Sequence, residues 1–194
     1  MTSEGRPLRA DARRNRARVL AAAEQVFADK GTGASTEEVA RAAGVGIGTV
    51  FRHFPTKEAL LEAVLVDHLR RLAEHADTLA DEGDAGAALF GFFTHVVRQA
   101  AGKNAYTDAL GEAGVDVRGT TAEFGGRMRA ALERLLVRAQ RDGAVRPDVG
   151  VAELLALMVG VSRAGEHAGP EVQARAAEIV FDGLRAPAAD IQVR

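Results

Sequence analysis

The stretch Ser35–Lys57, STEEVARAAGVGIGTVFRHFPTK, constrains the fold of this chain more than any other. Ser35 and Glu38 stand three residues apart, the spacing of a capping box, in which hydroxyl and carboxylate each satisfy a backbone N–H at the start of a helix. The helix this predicts covers about residues 36–43, with Val39, Ala42 and Ala43 turned inward. Gly44 follows at the point where a left-handed residue ends a helix without steric cost. Val45 then plugs the angle to a second short helix, about 47–54, with Val50 and Phe54 inward. Pro55 stops that helix, because the residue before a proline avoids the helical region. Two short helices on a tight turn are the outline of a helix-turn-helix, which lays its second helix in the major groove of DNA.

The rest of the chain reads as support and superstructure. Residues 1–10 contain Gly5 and Pro7 and no apolar repeat, which predicts a mobile basic arm. A helix is expected from about Asp11, where Val19, Ala23, Val26 and Phe27 form one apolar face. Arg13, Arg14, Arg16 and Arg18 crowd its first turns against the helix dipole. Two readings of these arginines stay open, phosphate contact and simple solvation. Thr56 caps a long helix over about 57–80, with Leu61, Val64, Leu65, His68, Leu69 and Leu72 as its stripe. Further helices are expected at 87–102, briefly at 106–110, and at 121–142, 151–167 and 171–184, the last after Gly169-Pro170. Residues 187–194 read as a loose tail. No strand alternation stands out. The expected fold is all-α with about nine helices: a helix-turn-helix domain over 11–56 and a second helical domain over 57–186.

Composition narrows the function. The 194 residues include no Trp and one Tyr, so the core rests on Ala, Val and Leu, of which Ala and Leu favour helix. The absence of cysteine excludes disulfides, thiolate zinc sites and cysteine nucleophiles, and fits a reducing compartment. Residues 1–57 hold ten basic against six acidic side chains, a net +4; the remainder hold 15 against 21, a net −6. A basic head on an acidic body suits a DNA-binding module joined to a sensor. No signal peptide is read at the start. The most apolar run, Val151–Val161, contains Glu153 and falls short of the roughly 18 residues of a membrane span, so a cytoplasmic protein is expected. The five histidines form no H-E-x-x-H. Gly44, Gly46 and Gly48 lack the G-x-G-x-x-G spacing and follow a helix rather than a strand. No serine nucleophile elbow is present. No cofactor, metal or catalytic set is therefore expected, and the chain is not read as an enzyme.

Base readout needs donors and acceptors on the exposed face of the second short helix. Gly46 and Gly48 offer no side chain there, and Ile47 offers only apolar surface, suited to a thymine methyl. Arg52 is the best candidate for a strong base contact. Ser35 and Thr36 stand at a helix N-terminus, where N–H groups and dipole favour a phosphate. In the body, Phe90, Phe93 and Val97 share a face, with Leu65, Leu69, Leu72, Phe124, Met128 and Leu132 on helices able to oppose them. They are either ordinary core or the wall of a ligand pocket. His68, His95, Tyr106 and Ser162 are polar groups on apolar stretches and candidates for orienting a ligand.

The block RARVLAAAEQVFADKGTGASTEEVARAAGVGIGTVFRHFPTKEALLEAVL resembles the amino-terminal domain of TetR-family transcriptional regulators over about residues 14–65. The resemblance is carried by A-x-x-x-F-x-x-x-G at Ala23, Phe27 and Gly31, by V-A-x-x-A-G-V at Val39–Val45, and by G-T-[LV]-[YF]-x-H-F-x-x-K at Gly48–Lys57. It implies a nine- or ten-helix protein that dimerises through its last helices, with an operator-binding head and a ligand pocket in the body. Thr49, His53 and Lys57 match family positions that hold the DNA backbone. Phe51 stands where the family most often has Tyr, a departure that removes a hydroxyl; core packing is its other reading. The body resembles one subgroup through AQRDGAVRPDV at Ala139–Val149. For ligand binding the candidates are Leu65, His68, Leu72, Phe90, Phe93, Val97, Phe124, Met128 and Ser162. For the dimer they are Leu154, Leu155, Met158, Val161, Val172, Ile179 and Val180. The expected function is a homodimeric repressor that releases a near-palindromic operator when a small molecule binds. The alternatives are a DNA-binding protein without effector, either a constitutive regulator or a scaffold, an activator, and an enzyme using His68 or His95.

Overall fold

The computed structural model describes residues 5–81 and 83–187. The helices run α1 Gly5–Lys30, α2 Thr36–Ala43, α3 Ile47–His53, α4 Lys57–Asp81, α5 Ala85–Glu112, α6 Arg118–Arg141 and α7 Val151–Leu184. α7 is two helices in succession, because Gly169 leaves the helical region at φ 83°, ψ 169° and Pro170 opens the second arm. Among the described residues this makes eight helices and no strand beyond one bridge between Val145 and Arg185. The fold is all-α.

The chain packs as two compact units, Met1–His68 with Gly102–Thr120, and Leu69–Ala101 with Thr121–Arg194. In the first, α1 supplies Val19, Ala23, Val26 and Phe27, α2 supplies Val39, Ala40 and Ala43, and α3 supplies Val50, all buried. Leu60, Leu61, Val64 and Leu65 of α4 are buried as well. Tyr106 meets Phe27 edge-on at 6.3 Å between ring centroids. In the second unit, Leu89, Phe92, Phe93 and Val97 of α5 pack with Leu132, Leu135 and Leu136 of α6 and with Leu154, Met158 and Val161 of α7. Asp77 accepts hydrogen bonds from Arg127 at 3.1 Å and Arg134 at 3.0 Å, tying α4 to α6. Arg138 donates to the carbonyl oxygen of Ala80, which the last turn of α4 leaves open, and to that of Gly83 in the loop beyond.

Several expectations are corrected. α1 begins at Gly5, not Asp11, so 5–10 are helical in backbone; Pro7 sits in the first turn, where its missing N–H is not needed. Residues 1–4 of the expected arm, and 188–194 of the expected tail, lie outside the described residues. Ala42 is exposed and Ala40 takes its place in the core. The expected helices at 87–102 and 106–110 are one helix, α5, which runs through Gly102. One interior glycine costs only about 1 kcal/mol of helix propensity, and burial of Ala100, Tyr106 and Leu110 offsets it.

Candidate nucleic-acid interface

The α2–α3 unit is fixed by local chemistry. Ser35 Oγ accepts from the Glu38 N–H at 3.3 Å, and Glu38 Oε2 accepts from the Ser35 N–H at 2.9 Å, which completes the capping box. Lys30 Nζ donates to Glu38 Oε1 at 2.6 Å. That bond first, and the Ser35 backbone N–H second, lower the Glu38 carboxyl from 4.5 to about 2. Gly44 is left-handed at φ 64°, and the Val45 N–H reaches back to Ala40 O at 3.0 Å. Arg18 donates to Ala43 O at 2.7 Å, and its guanidinium would lie 3.1 Å from any Cβ at Gly44. Arg16 lies over the Phe54 ring at 5.1 Å. Arg14 pairs with Asp11. For Arg18 and Arg16 a structural role stands beside phosphate contact and solvation, since they hold α1 against the ends of α2 and α3; Arg13 and Arg14 are exposed on α1. Thr56 Oγ1 accepts from the Ala59 N–H at 3.1 Å and starts α4.

What this frame presents is an open face. Gly46, Gly48 and Arg52 are exposed, and Phe51 is 42% exposed, so its core reading is removed. Ser35, Ile47, Thr49, His53 and Lys57 are half-buried, the His53 ring 6.3 Å from that of Phe54. Thr36 is buried, which leaves it little side-chain reach outward. A Cβ built at Gly46 or Gly48 would meet nothing within 4 Å, and neither residue has a positive φ. Neither packing within the chain nor backbone conformation demands glycine at these two places. Glycine there leaves the N-terminal end of α3 flat, as a close approach by something outside the chain requires.

The expected ligand residues divide between the two units. Leu65 and His68 are buried in the first unit; Leu72, Phe90, Phe93, Val97, Phe124, Met128 and Ser162 belong to the second. Tyr106 packs on Phe27 in the first unit. The Ser162 hydroxyl is buried and donates to Met158 O at 2.7 Å, so its proton is engaged within its own helix. His95 stands edge-on to His75 at 5.0 Å, and its pKa is lowered, first by burial and then by His75. Phe90 and Phe93 meet Phe181 at 4.9 and 5.2 Å. Beside them runs a groove of about 470 Å³ lined by Val97, Arg98, Gln173, Ala177 and Phe181 among others. Of its lining only Val97 was among the candidate ligand residues. Gln173 carries no distinguishing sequence signal, because Glu171, Arg175, Glu178 and Asp182 stand on the same arm of α7.

The dimer candidates also divide. Leu154, Met158 and Val161 are buried in the core of their own unit, which removes them from a surface. Leu155 and Val180 pack partly against that core. Val172 and Ile179 are exposed, together with Leu157 and Val159. Among the described residues no helix is long and apolar enough to cross a membrane.

Comparison with known proteins agrees with this architecture. The family model for bacterial regulatory proteins of the tetR family matches residues 19–64. A second model, for the C-terminal domain of SbtR-like transcriptional regulators, matches residues 84–186. The chain is 45% identical to a TetR transcription regulatory protein from Mycobacterium vanbaalenii, covering 93% of this chain and 100% of that one with a TM-score of 0.75. It is 32% identical to a TetR transcriptional regulator from Streptomyces coelicolor, covering 89% and 99% with a TM-score of 0.72. The probable HTH-type transcriptional regulator ArpR of Pseudomonas putida is 33% identical over 97 residues, which span 46% of either chain, less than half the length of that relative.

Proposed function

Since the chain belongs to the TetR family of transcriptional regulators, we propose that it is a homodimeric repressor that releases its operator when a small molecule binds the second unit. The observation that carries the DNA part is the flat face at Gly46 and Gly48, open where nothing inside the chain requires it. In this reading Ile47 touches a thymine methyl and Arg52 makes the strong base contact. Thr49, Phe51, His53, Lys57 and the N-cap Ser35 lie along the DNA backbone, with Thr36 offering its backbone N–H rather than its buried side chain. So bare a face makes shape and backbone contacts a large share of recognition. Two copies, joined through exposed residues of α7 such as Val159 and Ile179, place two α3 helices on half-sites about 34–36 Å apart. α4 runs through both units and is the natural lever, with a coupling of about 1–3 kcal/mol typical of such linkage.

Selection of bound sequences from random duplex DNA tests the reading. Enrichment of a near-palindrome with half-sites about one helical turn apart supports it. Enrichment of nothing, or of a single unpaired half-site, contradicts it.

A further inference from the structure

We infer that the groove between α5 and the second arm of α7 binds an anionic amphipathic small molecule, with its charged end on Arg98 and Gln173 and its apolar body on Val97, Ala177 and Phe181. The inference rests on the effector reading above only for its consequence on DNA. Binding itself is argued from the groove. Its volume of about 470 Å³ falls in the range of small-molecule sites, and its mix of apolar wall and few polar groups is theirs too. The wall is fixed in place, because Phe181 is held by Phe90 and Phe93 at 4.9 and 5.2 Å.

Charge selects the ligand class. Arg98 is exposed on the groove and has no ion pair among the described residues. Glu178, the carboxylate on the same groove, is engaged by Arg175 at 2.8 Å. On the lining itself Arg98 and Glu178 balance; Arg175, which stands outside the lining and pairs with Glu178, brings the local sum to +1 and leaves the Arg98 guanidinium to an anion. The amide of Gln173 adds a donor. Its nitrogen is shared among the carbonyl oxygens of Ser162, Val161 and Val97 at 3.2, 3.4 and 3.5 Å. Two N–H groups face three acceptors, none at a short distance, so turning one toward a ligand oxygen sacrifices little. The chain also makes room for this amide: a Cβ at Gly165 would lie 2.2 Å from Gln173 Nε2.

The test is a fluorescence titration of the full chain with 8-anilinonaphthalene-1-sulfonate, an anionic aromatic probe, and with its uncharged counterpart N-phenyl-1-naphthylamine. Arg98→Ala is expected to weaken the sulfonate about tenfold, the scale of one charge-assisted contact, and to leave the uncharged probe unchanged. Arg98→Lys is expected to retain most of the affinity. Ala174→Trp, which fills the groove from an exposed position, is expected to remove both probes. In the unmutated chain the sulfonate is expected to slow hydrogen exchange over residues 94–98 and 170–181. Absence of sulfonate binding, equal affinity in Arg98→Ala, or no added protection over those segments overturns the inference. The operator affinity of the probe-bound protein is then read separately. Groove binding with unchanged operator affinity contradicts the effector reading and leaves the site standing; lost groove binding contradicts the site whatever the DNA does.

Discussion

Glu38 shows how much one side chain does in the head. It takes one bond from Lys30 and one from the Ser35 backbone, and its own N–H bonds the Ser35 hydroxyl. Its carboxyl is lowered from 4.5 to about 2, so the unfolded chain binds a proton more readily than the folded one between those values. The stability contributed by the carboxylate is complete above pH 4.5 and is lost as pH falls toward 2. Thermal denaturation of the unmutated chain and Glu38→Gln is expected to show a gap at pH 7 that closes across that window; a gap independent of pH would contradict it. Arg52 and Lys57 separate the two kinds of DNA contact. Arg52→Ala is expected to relax preference at one base-pair position by about 1–3 kcal/mol. Lys57→Ala is expected to weaken all sequences alike and to lower the salt slope by about 1. Anisotropy across a salt series on specific and random duplexes reads both.

Among the elements, legibility followed locality. The ends of α2 and α3 were readable because their determinants lie within a few residues: the Ser35–Glu38 cap, left-handed Gly44, Pro55. The continuity of α5 was not, because a glycine at 102 reads as a break until the burial of its neighbours is known. The same holds for the α1 arginines. Their partners, Ala43 O and the Phe54 ring, lie 25 and 38 positions away in the chain and are set by packing alone. The break in α7 was readable from Gly169-Pro170, and its backbone supports a sharp prediction. At φ 83°, ψ 169°, Gly169 occupies a region nearly closed to other residues. Gly169→Ala is expected to lower stability by about 1–3 kcal/mol in chemical denaturation; an unchanged midpoint would mean the second arm of α7 is not held at that angle.

For the molecule as a whole, what remained illegible is what depends on which face of a long apolar helix turns outward. Leu154, Met158 and Val161 were expected on a dimer surface, yet they complete their own core, while Val159 at 59% and Ile179 at 58% exposure are left outside. The groove was hidden for the same reason, since its two walls meet only through the packing of the last helix. If the exposed residues join two copies, Val159→Asp with Ile179→Asp is expected to turn a dimer into a monomer in sedimentation at micromolar concentration, with the helical signal unchanged; a persistent dimer would move the interface elsewhere. The central claim is that the open face at Gly46 and Gly48 is where DNA approaches. Its most direct test is the operator affinity of Gly48→Leu by anisotropy, with unfolding measured alongside. A Cβ at Gly48 meets nothing within 4 Å, so the substitution is expected to leave stability unchanged or raise it by up to about 1 kcal/mol through helix propensity, and to lower operator affinity by about tenfold or more. Full operator affinity in a stably folded Gly48→Leu protein would contradict the account.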